Sequence, residues 1–336
     1  MASTYRLFTP PPAKLATGLA ADVYAQLSSD FMGPAPTFTA LSPTPELLAA
    51  TWALMRESLL AGQASRVGKE VVAAAVSRAN RCQFCIDAHV IFLHALGEHD
   101  LAETIADGRT PGEPPMAGLL DWAVASRTPQ RASRPGPSGH VEEYLGTLLA
   151  FHFINRGVSA LLTESLLPGN LQRSSLVRNL GGRAYARTAR QAREPGKSLS
   201  LLAGIPIGAP PAWAGSSPIG VAYAALRSVA GRGAGLLGDE ARALVAQTVK
   251  TLDGAHPQRP ADWAWSLVTN LPTEDRLGAR IALLAAFSPA SISPGDAALW
   301  RQIRPADADL IHLVAFDAMT AVEHVEAHLT RVVPAA

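Results

Sequence analysis

The feature that most restricts this chain is a recurring helical spacing of large apolar residues. Between Pro45 and Leu60, Leu47, Leu48, Trp52, Met55 and Leu59 fall on one stripe of a helix. The next run, Val67–Ser77, carries Val71-Val72-Ala73-Ala74-Ala75-Val76 and reads as a second, very apolar helix. Alanine and leucine supply much of the 48% hydrophobic content and favour helix. The β-branched and aromatic runs that a sheet needs are few. An all-α fold follows, and 336 residues suffice for two compact helical units.

The order of segments divides the chain. Residues 1–45, rich in proline and threonine, read as an N-terminal arm with one short helix near Ala20–Ser29. A first helical domain spans 46–194. Its third helix runs from about Cys82 to Leu96, with Asn80 as a cap and Gly97 as the stop. Further helices cover Leu101–Ile105, Ala117–Ser126, Val141–Leu167 and Leu176–Ala192, the last with a weak point at Gly181-Gly182. Arg127–His140, with its prolines and glycines, is a loop. Residues 195–220 are a Pro/Gly-rich linker, and 221–336 form a second helical domain. A weak internal repeat relates the two: Arg66-Val-Gly-Lys-Glu70 resembles Leu236-Leu-Gly-Asp-Glu240. At that offset Cys82, Cys85 and His89 fall on Leu252, Ala255 and Arg259. Leu149-Ala150-Phe151 likewise resembles Val314-Ala315-Phe316. The second unit is expected to be a degenerate repeat without cysteines.

Charge excludes some partners. The net charge of +1 is scattered, which gives no nucleic-acid footprint. Arg183, Arg187 and Arg190 share one helix stripe, read as a solvated face. No uninterrupted apolar window is long enough to span a bilayer, and Met1–Leu15 lacks the order of a signal peptide. The expected location is cytoplasmic, with no membrane partner and no cofactor. Gly231-Arg-Gly233-Ala-Gly235 follows a helix rather than a strand, which disfavours a phosphate loop. Trp263 and Trp265 read as packing residues, and His140 and His152 have no nucleophile nearby in sequence.

The chemistry concentrates in Glu70-x11-Cys82-x-x-Cys85-x-x-x-His89. Cys85 and His89, four apart, are neighbours on one helical face, and Cys82, two turns before His89, aligns with them. Cys82 lies in the first turn, where unpaired amides and the helix dipole favour a thiolate. By that reasoning it is the low-pKa thiol, whereas the spacing to His89 favours Cys85. A second thiol three residues away can capture an oxidised sulfur as a disulfide, and His89 can take or supply a proton. Glu70 heads an apolar run, so a buried carboxylate there needs a partner. His89 would be oriented by it; otherwise Glu70 is an exposed residue paired with Lys69 or Arg66, which is what spacing alone favours. Cys82, Cys85 and His89 are also zinc-ligand types, with His94 or His99 available as a fourth, but no second Cys/His pair follows at finger spacing.

These residues carry a resemblance. From Leu54 to Gly97 the chain resembles the alkyl hydroperoxidase D-like, or carboxymuconolactone decarboxylase, family, and more loosely over residues 45–165. Phe151–Leu162, with Asn155-Arg156, is similar to the family's closing helix. The resemblance implies an all-α alkyl hydroperoxidase D-like fold in two tandem helical units, the second degenerate. It implies a thiol-dependent peroxidase or dithiol–disulfide oxidoreductase, an antioxidant enzyme with a redox-active CxxC pair. Cys85 would attack the peroxide, Cys82 would resolve it, and His89 and Glu70 would move protons. Partners would be a hydroperoxide or a protein disulfide and a thiol electron donor. A homo-oligomer is implied, reduced to a dimer or monomer if the extra half replaces a neighbouring subunit. Phe84 stands where the best-known peroxidase of the family carries a histidine. The alternative is a non-catalytic helical protein whose cysteines serve as redox sensor or metal clip.

Overall fold

The computed structural model describes residues 4–131 and 136–332. Among these the chain is helical with no β-strand; extended pairing is confined to single bridges, Tyr5 with Leu162 and Ala61 with Arg193. The helices are α1 (Gly18–Asp30), α2 (Pro36–Thr39), α3 (Pro45–Met55), α4 (Arg66–Ala79), α5 (Gln83–Leu96), α6 (His99–Ala106), α7 (Pro114–Ala125) and α8 (Val141–Leu161). They continue with α9 (Ser175–Ala189), α10 (Pro218–Gly231), α11 (Asp239–Leu252), α12 (Pro260–Val268), α13 (Thr273–Phe287), α14 (Pro294–Ile303) and α15 (Asp307–Val332). The all-α expectation holds. Of the loop expected over Arg127–His140, residues 132–135 lie outside the described residues.

Several boundaries follow from local chemistry. Ser65 caps α4, its side chain accepting from the Gly68 amide at 3.3 Å. Gly97 ends α5 in the left-handed conformation, φ 101°, which glycine adopts without a Cβ penalty. Asn80, expected to cap α5, does not. Cys82 is the capping position, and Asn80 instead donates to His152 and accepts from Arg127 inside the core.

Other boundaries follow from tertiary contacts. The helix expected through Leu60 changes at Arg56 into a five-residue π turn, Arg56–Leu60. That turn carries two buried charges: Arg56 donates to Asp30 at 2.7 Å, and Glu57 accepts from the amides of Gly196 and Ser198. Helix α8 stops at Leu161 rather than Leu167 because the N-terminal arm takes over there. The Arg6 amide donates to Leu161, and its guanidinium to the carbonyls of Ser159 and Ala160. Gly181-Gly182 is no weak point. Helix α9 runs unbroken, and a Cβ on Gly182 would lie 2.6 Å from that of His94, so glycine lets α9 and α5 approach closely.

A continuous apolar core extends from α1 to α15. Helix α10 packs on α3 and α15 on α8. Leu201, Leu202 and Ile205 of the Pro/Gly-rich stretch are buried in the same core. Buried arginines tie the two halves together. Arg156 donates to the Ala286 carbonyl and Arg127 to those of Phe287 and Gly254. Ala286 and Phe287 are in the last turn of α13, where helix carbonyls lack intrahelical partners. Among the described residues no helix is long and apolar enough to cross a membrane.

Candidate active site

The site is the corner between α4 and α5, closed by α8. Glu70 lies in the second turn of α4 and is fully buried. Its Oε2 accepts from His89 Nδ1 at 2.6 Å, and its Oε1 accepts from Arg66 Nε at 2.9 Å. The expectation of an exposed Glu70 is therefore corrected, while Arg66 proves a genuine partner beside His89. Lys69 turns elsewhere, to Glu143 and the Ala61 carbonyl. Burial alone would push the Glu70 carboxyl upward, but the Arg66 charge and the His89 hydrogen bond hold it below the usual carboxylate range. Glu70 is thus an ionised acceptor shared by a guanidinium and an imidazole.

That hydrogen bond fixes the imidazole. With Nδ1–H given to Glu70, Nε2 is the nitrogen left for chemistry, and it has no hydrogen-bond partner among the described residues. The ring stands edge-on to Phe151 of α8, centroids 4.4 Å apart. His89 and Cys85 line the same small pocket, walled by Phe31, Phe84, Phe92 and Phe151. It offers apolar surface and few polar groups apart from the imidazole.

Cys82 and Cys85 are joined as a disulfide, with Cα atoms 5.4 Å apart. They do not face the same space. Cys82 lines a separate polar cleft of about 1020 Å³, open to solvent, bordered by Arg6, Arg81, Glu164 and Arg173. The seven-residue alignment with His89 fails because the capping position is non-helical, φ −93° and ψ 88°, so helical phase does not apply there. Phe84, between the cysteines, is shared by pocket and cleft. The disulfide thus connects an apolar, phenylalanine-walled pocket holding the imidazole to a more polar cleft bordered by arginines.

The remaining candidates lie apart. His94 contacts His99 and Glu103 at the far end of α5, and Arg178 of α9 also holds Glu103. Among the described residues no group of three or more His, Cys, Asp or Glu side chains is arranged to hold a metal ion. His152 is buried, 2.8 Å from Ser126 Oγ, but that hydroxyl already donates to Ala123, so Nε2–H of His152 donates to it and the pair is a structural hydrogen bond and not an activated nucleophile. His140 is exposed at the start of α8. Trp263 packs on Phe287, as expected, whereas Trp265 is partly exposed under Arg280. Glu240, matched to Glu70 by the internal repeat, is exposed at the head of α11. Reasoning from the sequence missed the aromatic wall. Its residues come from the arm, α5 and α8, and no local spacing links them.

An all-α corner presenting Glu-x11-CxxC-x3-His defines a class. The family model described as the carboxymuconolactone decarboxylase family matches residues 45–117, which contain Glu70, both cysteines and His89. The chain is also 36% identical over 320 residues to a Mycobacterium tuberculosis protein named alkyl hydroperoxide reductase Rv2159c. That match covers 94% of this chain and 92% of the relative. The chain belongs to the alkyl hydroperoxidase D-like, or carboxymuconolactone decarboxylase, family. No solved structure matches it significantly.

Proposed function

We propose that the chain is a thiol peroxidase that reduces organic hydroperoxides through Cys85 and Cys82. The observation that carries this reading is the pocket shared by Cys85 and His89, with Nδ1 of His89 fixed by a buried, ionised Glu70. In the reduced enzyme, Nε2 of His89 takes the Cys85 proton, and the thiolate attacks the terminal peroxide oxygen. The O–O bond breaks, an alcohol leaves with the proton returned from His89, and Cys85 becomes a sulfenic acid. Cys82 then attacks that sulfur, expelling water and forming the observed disulfide. The aromatic walls suit an alkyl or aryl substituent and exclude water from the sulfenic acid. The similarity to a protein named for alkyl hydroperoxide reduction supports the same substrate class.

A thiol donor must reopen the disulfide, so dithiol–disulfide exchange is the reducing half of this cycle. The half of the chain beyond residue 220 contributes no cysteine, and we assign it a covering role as a degenerate second unit. The test is consumption of cumene hydroperoxide with dithiothreitol as reductant. Cys85→Ser is expected to abolish turnover, and Cys82→Ser to stall with a sulfenic acid trappable by dimedone. Unchanged turnover in Cys85→Ser would end this assignment.

A further inference from the structure

The cleft on the Cys82 side has no part in peroxide reduction, yet it is built with one sign of charge. Arg6, Arg81 and Arg173 border it against the single carboxylate of Glu164. Arg6 is held in place by the carbonyls of Ser159, Ala160, Ala290 and Ile292, and the one carboxylate whose charge acts on it is Glu164 of the same cleft. Arg81 and Arg173 are exposed and form no hydrogen bond through their side chains among the described residues. Behind Arg81 lies the buried Arg127, close enough for the two charges to repel. From Ser165 to Arg193 the chain carries six arginines and no carboxylate; Arg178 is paired with Glu103 and Arg193 lies 4.0 Å from Asp30, whereas Arg173 faces the cleft. Arg81 also occupies the left-handed region, φ 58°, a conformation that non-glycine residues rarely adopt.

We infer that this cleft admits the electron donor, that the donor is a thiol flanked by negative charge, and that it attacks Cys82 rather than Cys85. The inference rests on the peroxidase reading for its place in the cycle. The donor thiolate forms a bond to Cys82 Sγ and the Cys82–Cys85 bond breaks. Cys85 leaves as a thiolate into the pocket it shares with His89, whose Nε2 takes up the proton released by the donor thiol and passes it to Cys85. A second donor thiolate attacks the donor sulfur of the mixed disulfide and releases Cys82. The donor ends as a disulfide, the protein as a dithiol, and the two donor protons end on the protein sulfurs. Hydroperoxide and reductant then enter from opposite sides of Phe84 and do not compete for space. Charge of one sign in a cleft raises the encounter rate of the opposite charge by about 10- to 1000-fold.

The experiment measures how fast the oxidised full-length protein is reduced, by counting thiols, with two small dithiols: dithiothreitol, whose only charge is the attacking thiolate, and dimercaptosuccinate, which adds two carboxylates. Rate constants are compared per thiolate. At low ionic strength dimercaptosuccinate is expected to be faster by about tenfold or more, and salt should erase the advantage. The double variant Arg81→Asn/Arg173→Asn should lose most of the preference, its dimercaptosuccinate rate falling much further than its dithiothreitol rate. Asparagine tolerates the left-handed backbone at position 81, so the turn is preserved. Reduced thioredoxin serves as an acidic protein dithiol. If it shows the same salt-sensitive advantage the donor class includes proteins, and if only dimercaptosuccinate does the donor is a small anionic thiol. Equal rates for the two small dithiols, or a preference unchanged in the double variant, would overturn the inference. Charge-selective reduction without hydroperoxide consumption would retain the cleft and remove the peroxidase reading. Hydroperoxide turnover without charge preference would do the reverse.

Discussion

Glu70 shows how one residue serves two neighbours. Its carboxylate has two oxygens, one given to Arg66 and one to His89, and neither partner alone would account for its complete burial. Arg66 supplies the positive charge that keeps the group ionised in a dry corner, and the ionised group in turn fixes the imidazole. Glu70→Gln keeps the shape and removes the charge. Hydroperoxide turnover is expected to fall about 100-fold in kcat, the scale of a lost general acid–base relay, with little change in KM. Glu70 does not line the pocket, so substrate binding should be spared. Steady-state kinetics check this, and a wild-type kcat would remove Glu70 from the mechanism. The Glu70–His89 pairing could be proposed from the sequence as a matter of residue types. That Arg66 joins it was visible as an (i, i+4) spacing, but spacing could not tell an exposed pair from a buried triad.

At the scale of elements, α5 is the frame of the site, and its position is set by α4 on one side and α9 on the other. The contact with α9 depends on Gly182, where any Cβ would press on His94 and on the Ala95 amide at 2.9 Å. Gly182→Ala should therefore destabilise the protein by about 1–3 kcal/mol although alanine is the better helix former. Thermal denaturation decides the sign. A variant with an unchanged or raised Tm would mean that α9 can move away from α5 without loss. Reading Gly181-Gly182 as a helix weak point treated glycine by its intrinsic propensity, whereas here its lack of a side chain is what a neighbouring helix requires. The same distinction separates the helix ends that were legible from those that were not. Gly97 stops α5 through its own backbone freedom. Leu161 ends α8 because an arm some 150 residues away in sequence supplies the pairing.

Across the whole molecule, buried arginines without a carboxylate partner join the two halves at the core. Arg127 and Arg156 are buried and donate to carbonyls of the second half. Burial, and then the charge of Arg81, lowers Arg127 to about 10. His256 lies near this cluster, its Nε2 bonded to the Ala79 carbonyl, and burial followed by the charge of Arg127 lowers it to about 4. His152 is pushed well below its ordinary value by burial and by Arg156 and Arg127. Both histidines are neutral when folded. The unfolded chain takes up protons below about 6.5, whereas folded His256 does so only near 4. Stability should fall as pH drops through that window, before carboxylates such as Glu70 and Asp296, whose folded values are depressed, begin to contribute. Calorimetry from pH 7 to 4 checks this. His256→Gln is expected to flatten the decline, and a slope equal to that of the wild type would exclude His256 as a source.

The sequence by itself determined what short-range physics controls. Apolar spacing set the helical class, Ser65 and Gly97 set the ends of α4 and α5, and the interval from Glu70 to His89 placed a carboxylate, two thiols and an imidazole at one helical corner. Tertiary structure decided which of these groups lost water and which face each sulfur met. Cys82 left the helical phase at the capping position and came to border an arginine-lined cleft formed by the arm, the approach to α9 and the second half. Cys85 stayed in phase and met a wall of phenylalanines. Desolvation and electric field depend on atoms that are near in space and distant in sequence, so no local spacing could have specified them.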